Sequence, residues 1–183
     1  MSVSAWRDLL GRWARESRAA GETGAELRPG ATSDEIRSAE VRLGASLPPS
    51  YRAFLAVTNG WRIPGGSVDR LWSAAEIDWF RVRNQDWIDA YNSTFPGLLP
   101  APRVSDAEYF VYGEEQDCVS FRPEYLATAL EVSDVGDSAI YLLNPRVVFH
   151  DGEWEAWFFA NWLPGAVRYR SFWDLMRDQR DTF

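Results

Sequence analysis

The sequence predicts an α+β domain: helices first, then an antiparallel, mostly hairpin β-sheet, then one closing helix. Three observations carry that prediction. Apolar residues recur at helical spacing in the segments before Glu108. Beyond it the period drops from about 3.6 to about 2. Two turn dipeptides, Gly136-Asp137 and Asp151-Gly152, then lie between alternating runs, as hairpin turns do. Composition agrees, since 183 residues that are 46% apolar and 25% charged suit one globular domain with its own core.

Ser4 to Ala20 reads as an amphipathic helix with Trp6, Leu9, Leu10, Trp13 and Ala14 on one face. Packing of that face onto the domain is expected ahead of binding to a membrane surface. Gly21–Ala31, punctuated by Gly21, Gly24, Pro29 and Gly30, is a connector. Residues 1–30 are thus an N-terminal addition, and 31–183 form the domain. Thr32-Ser33-Asp34-Glu35 has the capping-box spacing, after which Ile36, Ala39 and Leu43 share a face up to Gly44. A short helix follows Pro48-Pro49, burying Tyr51, Phe54, Leu55 and Thr58, and Asn59-Gly60 ends it. Glu76 to Tyr91 suits a third helix through Ile77, Phe80, Trp87, Ile88 and Tyr91, and Pro96 to Pro102 breaks the chain.

The expected strands are Tyr109–Tyr112, the pair Leu130–Val135 and Ser138–Leu143, and the pair Val147–His150 and Glu153–Phe159. Asp151-Gly152 has the signature of a type I′ turn. In the last strand Trp154, Ala156 and Phe158 face one way, and Glu153, Glu155, Trp157 and Phe159 the other. Large aromatics on the second side imply a helix covering it. Ser171 caps the final helix, with Asp174 at its third position and Phe172, Leu175, Met176 and Gln179 aligned.

The formal charge is −8, from 27 acids and 19 basic residues, all of them Arg. Residues 106–155 hold twelve acids against Arg122 and Arg146, so this segment alone is −10 and the two flanks are +1 each. Such a field repels nucleic acid and anionic lipid and attracts basic partners. It serves either as a solvated face or as a docking surface for a basic protein.

Catalytic chemistry is hard to assemble from this composition. His150 is the single histidine and stands at a strand end beside a turn. Cys118 is the single cysteine, so no internal disulfide forms, and its acidic stretch is the wrong setting for an activated thiol. Structural zinc lacks ligands, and Glu114, Glu115 and Asp117 lack the glycine-punctuated alternation of a calcium loop. No phosphate-cradling glycine motif exists, since Gly65-Gly66 reads as a turn. Most of the ten tryptophans fall at core spacing. No enzyme, cofactor or metal is expected. The apolar runs Ala139–Leu143 and Ala156–Ala160 are too short to span a bilayer, and Arg7, Asp8, Arg12 and Arg15 interrupt the start of the chain. The expected location is the cytoplasm.

One stretch resembles a known family. Between Ser33 and Gly60 stand Ile36 and Glu40, then Leu43-Gly44, Leu47-Pro48, Tyr51, Phe54-Leu55 and Asn59-Gly60. This order and spacing is similar to the opening motif of the SUKH superfamily, the Knr/Smi-like group named after a fungal regulator of cell-wall synthesis. Asp137–Pro145 and Ser171–Met176 resemble its central strand and terminal helix, so the likeness covers about residues 30–178. The resemblance implies a SUKH-like fold and a binding protein. Most bacterial members are immunity proteins that neutralise a polymorphic toxin, often a nuclease, and a minority are regulatory scaffolds or adaptors. The partner it implies here is a basic toxin domain, with the alternative a different protein or peptide, and the chain a monomer or weak dimer. The residues expected at that interface are Glu114, Glu115 and Asp117 on a loop, and Asp151, Glu153 and Glu155 around the Asp-Gly hairpin.

Overall fold

The computed structural model describes residues 2–22, 24–92 and 103–182. Helix α1 (Val3–Ala19) starts where the Ser2 hydroxyl accepts the Ala5 amide at 3.2 Å. Its predicted stripe is buried, with Trp6, Leu9, Leu10 and Trp13 each no more than 4% exposed. Trp6 is the joint: its ring meets Phe54, Phe172 and Trp173 at 5.4, 5.6 and 4.8 Å, and its indole N–H donates to the Ser50 carbonyl at 2.9 Å. The apolar face is therefore spent inside the fold. Among the described residues, no helix is long and apolar enough to cross a membrane.

The connector is pinned along the next helices. The Ala31 amide donates to the Leu55 carbonyl at 2.8 Å, and the Asn59 amide to the Pro29 carbonyl at 3.1 Å. Helix α2 (Ser33–Leu43) carries the predicted capping box, Thr32 accepting the Glu35 amide and Glu35 accepting the Thr32 amide, and ends at a left-handed Gly44. Helix α3 (Pro49–Val57) buries Tyr51, Phe54 and Leu55. A small antiparallel pair follows, β1 (Trp61–Arg62) with β2 (Arg70–Leu71), too short to show a period in the sequence.

The single helix expected over Glu76–Tyr91 is not formed. The chain instead makes β3 (Asp78–Trp79), α4 (Phe80–Arg83) and α5 (Gln85–Asn92). The reason is a change of core: Ile77 belongs to one hydrophobic cluster, while Phe80 and Ile88 belong to another across the sheet. Pairing of Asp78 and Trp79 with Glu131 and Leu130 carries the chain between them. The expected Pro96–Pro102 break lies outside the described residues. Tyr109–Tyr112 is not a strand either. Ser105 and Glu108 form a second capping box and start the one-turn helix α6 (Asp106–Tyr109). Two 3₁₀ turns, Gly113–Glu115 and Pro123–Thr128, lead on to the sheet.

The sheet adds β4 (Leu130–Glu131), β5 (Ala139–Val148), β6 (Trp154–Ala160) and β7 (Ala166–Tyr169) to β3, in the order β3-β4-β5-β6-β7, all antiparallel. Strand β5 joins the two strands expected on either side of Asn144-Pro145, with an irregularity between Asn144 and Val148 that accommodates the proline. Both turns depart from the expected geometry. At the β5–β6 hairpin only Gly152 has a positive φ, 81°, and the Phe149 amide donates to the Glu153 carbonyl at 2.8 Å. That is a three-residue loop closed by a left-handed glycine, in place of a type I′ turn. Positive φ at two successive residues, as type I′ requires, occurs instead at Asp137 (33°) and Ser138 (59°). Gly136 stands one place before that turn because a β-carbon there would lie 2.8 Å from the Ser67 carbonyl oxygen.

Every residue of β6 is buried. Trp154, Ala156 and Phe158 face the core built with α1, α3 and the last helix, α7 (Phe172–Thr182), which Ser171 and Asp174 cap as predicted. Trp157 and Phe159 face the second core, made with Phe80, Ile88, Phe121 and Leu126. Helices α4 and α5 cover that face, as its aromatics implied, together with the 3₁₀ turn over Pro123–Thr128. Alongside β7, the Gln116 carboxamide accepts the Arg168 amide at 2.7 Å and donates to the Arg168 carbonyl at 3.2 Å. The Cys118 carbonyl accepts the Ala166 amide at 3.2 Å.

Truncating Trp6 removes three ring contacts and a buried hydrogen bond at the junction of α1, α3 and α7. Trp6→Ala is expected to lose about 3–5 kcal/mol in urea unfolding; a variant as stable as wild type would show that α1 is not integral to the core.

Candidate partner-binding site

The six acids expected at the interface separate into two kinds. Glu153 and Glu155 are buried. Glu153 sits beside the start of α3, where its two oxygens accept the Ser50 amide at 2.8 Å and the Ser50 hydroxyl at 2.6 Å. Burial pushes its carboxyl above the usual carboxylate range, against the opposing pull of those two hydrogen bonds. Glu155 accepts four hydrogen bonds, from the Tyr109 and Tyr112 hydroxyls at 2.6 and 2.8 Å and from Asn144 Nδ2 and Trp157 Nε1 at 2.8 Å each. Burial first, and then the charge of Glu155, push both tyrosine hydroxyls above their ordinary range. The buried Arg168 guanidinium lies over the Tyr109 ring at 4.5 Å and the Tyr112 ring at 5.7 Å. This network ties the segment around α6 to the sheet. Its carboxylate is not presented to solvent.

Glu114, Glu115, Asp117 and Asp151 are exposed. The loop with Glu114 and Glu115 and the hairpin with Asp151 adjoin through aromatic rings. Tyr112 lies 5.8 Å from Phe149, and the Arg170 guanidinium stacks on both, at 5.1 and 5.4 Å. Asp117 stands further along β7, its Oδ1 accepting the Val119 amide at 3.0 Å. Beneath the hairpin, a cleft of about 330 Å³ opens toward the first turn of α7, between Phe149, Asp151 and Trp173.

Sequence reasoning missed Glu131, a buried acid held by Arg83 at 3.2 Å, Asn84 at 2.6 Å and Trp72 at 3.2 Å. It also missed Tyr109, Tyr112 and Arg168. The Ser105-Asp106-Ala107-Glu108 run was the available signal for the local fold around the two tyrosines.

The motif residues are spent on architecture. Ile36, Leu47, Tyr51, Phe54 and Leu55 lie in the core, and Pro48 precedes α3. Glu40 accepts the Leu47 amide at 2.8 Å and Arg52 at 2.6 Å, fixing the loop after Gly44. Asn59 accepts the Ala74 amide at 2.8 Å, and Gly60 follows with a positive φ. His150 is exposed on the hairpin and Cys118 is half-buried. Among the described residues, no three His, Cys, Asp or Glu side chains converge as metal ligands.

Folding raises the Glu153 pKa above its ordinary 4.5, so the folded state takes up that proton first as pH falls. The cost of the buried charge is thus present at neutral pH and is relieved as pH drops through the raised value toward 4.5. Glutamine can keep both Ser50 contacts. Glu153→Gln is expected to be at least as stable as wild type at neutral pH, with the gap closing by about pH 4 in thermal unfolding. A pH-independent gap would contradict this account of the site.

No curated protein matches the chain significantly. A family model does match, over residues 30–178, the span from the connector docked on α3 to the capped helix α7. That span contains the Ile36–Gly60 motif, the sheet with its second core and most of its first, and the loops that carry the exposed acids. The chain therefore belongs to the SMI1 / KNR4 family (SUKH-1), whose members bind protein partners and include toxin-immunity proteins.

Proposed function

We propose that this chain is an immunity protein that binds a cognate polymorphic toxin domain, basic and of nuclease type, and neutralises it by covering its surface. It acts by binding alone and catalyses no reaction. The observation that carries the reading is the acidic middle of the chain. Of the twelve acids between residues 106 and 155, eight are exposed: Asp106, Glu108, Glu114, Glu115, Asp117, Glu124, Asp137 and Asp151. A nuclease holds phosphates with arginine and lysine, and exposed carboxylates are the complement of such a surface. Glu114, Glu115, Asp117 and Asp151 are the residues assigned to first contact. Glu155 is withdrawn from that role, because its oxygens are engaged inside the fold, and Glu153, buried on Ser50 at the cleft, is set back from first contact. The protein works in the cytoplasm as a monomer or weak dimer, meeting the toxin before the toxin meets its substrate.

The test is co-expression with any toxin-like domain encoded beside this gene, scoring growth and pull-down together. Rescue with a stoichiometric complex is the expected result. Rescue without a complex would overturn binding as the mechanism, and a complex with some other protein instead would favour a regulatory scaffold. Within a complex, reversing Glu114, Glu115 and Asp117 to arginine is expected to slow association about tenfold at low salt and to flatten its salt dependence. Unchanged association kinetics would remove these three residues from the interface.

A further inference from the structure

The cleft between the β5–β6 hairpin and the start of α7 has a chemistry that surface charge alone does not explain. The rings of Phe149 and Trp173, the His150 imidazole and three carboxylates, Asp151, Glu153 and Asp174, line it, against the single guanidinium of Arg170. Glu153 is the unusual member. It is 6% exposed, both its hydrogen bonds come from the neutral Ser50, and among the described residues no arginine lies within ion-pair distance. Glu131, equally buried, differs in having Arg83 at 3.2 Å. Burial outweighs both the Ser50 hydrogen bonds and the attraction of the chain's own N-terminal ammonium, so the ionised form still costs free energy and a further cation in the cleft lowers that cost.

The two other carboxylates are half used. Asp151 Oδ1 accepts the Glu153 amide at 3.3 Å and Asp174 Oδ2 the Ser171 hydroxyl at 2.8 Å, which leaves one oxygen of each without a donor among the described residues. Arg170 does not neutralise the group, since its guanidinium rests over Tyr112 and Phe149 and no carboxylate lies within ion-pair distance of it among the described residues.

We infer that this cleft receives a guanidinium, an arginine side chain of the protein partner, entering between Phe149 and Trp173 toward Glu153. A planar guanidinium stacks on aromatic faces and donates to carboxylates in pairs, whereas an ammonium does neither as well. Three carboxylates exclude a phosphate or carboxylate ligand from the same space. The inference rests on the immunity reading only for which protein supplies the arginine.

N-acetylarginine amide is the probe, titrated into the ¹⁵N-labelled chain while the Trp173 indole N–H is followed, its resonance assigned with Trp173→Phe. A saturable shift at concentrations on the order of millimolar is expected, several-fold weaker with N-acetyllysine amide. Glu153→Gln and Asp151→Asn, the latter on an exposed turn, should each abolish most of it while leaving the unfolding transition in place. No shift by about 100 mM, an equal response to the lysine probe, or a response to inorganic phosphate instead would each overturn the inference. With a toxin partner in hand, the same two variants should speed dissociation about tenfold. A toxin that binds wild type and both variants alike removes the cleft from the interface and leaves the immunity reading standing. A chain that binds the arginine probe but no toxin reverses that outcome.

Discussion

The seven residues of β6 are buried on both faces of the sheet, and that constraint organises the rest of the chain. A strand with Trp154 and Phe158 on one side and Trp157 and Phe159 on the other has to be covered twice. Each such side chain contributes about 1.5–3 kcal/mol only when it leaves water. The chain meets the first demand with α1, α3 and α7, whose aromatic residues meet around Trp6. It meets the second with α4, α5 and the 3₁₀ turn at Pro123–Thr128, where Trp87 and Tyr91 close on Phe159 at 5.4 and 5.2 Å. Moving from one face to the other is what breaks the chain between Ile77 and Phe80.

Features fixed by local hydrogen bonds and by period were legible beforehand. The Thr32–Glu35 box, the Ser171 cap, the α1 stripe and the two-sided alternation of β6 need no knowledge of distant neighbours. Features decided by a distant neighbour were not. Gly136 is displaced from its turn by the backbone at Ser67, and nothing within the hairpin's own sequence reports that contact. Tyr109 and Tyr112 looked like strand residues because they are aromatic, yet they flank the end of a one-turn helix so that both hydroxyls reach one carboxylate. For the candidate site, counting acids singled out the middle third of the chain and could not separate the exposed from the buried. Strand parity held part of the answer, since Glu155 shares its side with Trp157 and Phe159. Glu153 shares that parity too, yet its carboxylate is held by Ser50 at the start of α3.

The acids of the middle third thus do two different jobs. Glu131, Glu153 and Glu155 are interior groups that join segments far apart in sequence, while the exposed set gives this third its outward negative field. The two are mechanically linked. Gln116 and Tyr112 anchor the backbone on either side of Glu114 and Glu115, through Arg168 and Glu155 respectively. Charges carried on an anchored loop lose less freedom on complex formation than charges on a loose one.

The amide of Gln116 has a further consequence. Side by side with Arg168, it takes up that residue's outward donor and acceptor as the Cys118 carbonyl takes the Ala166 amide, and at the opposite border of the sheet β3 is only two residues long. Neither border offers a ladder onto which another polypeptide could add a strand. What the sheet leaves open to other molecules is side chains on loops and in the cleft. A partner can then change in evolution through single substitutions at those positions, without altering a backbone hydrogen bond of the scaffold that displays them.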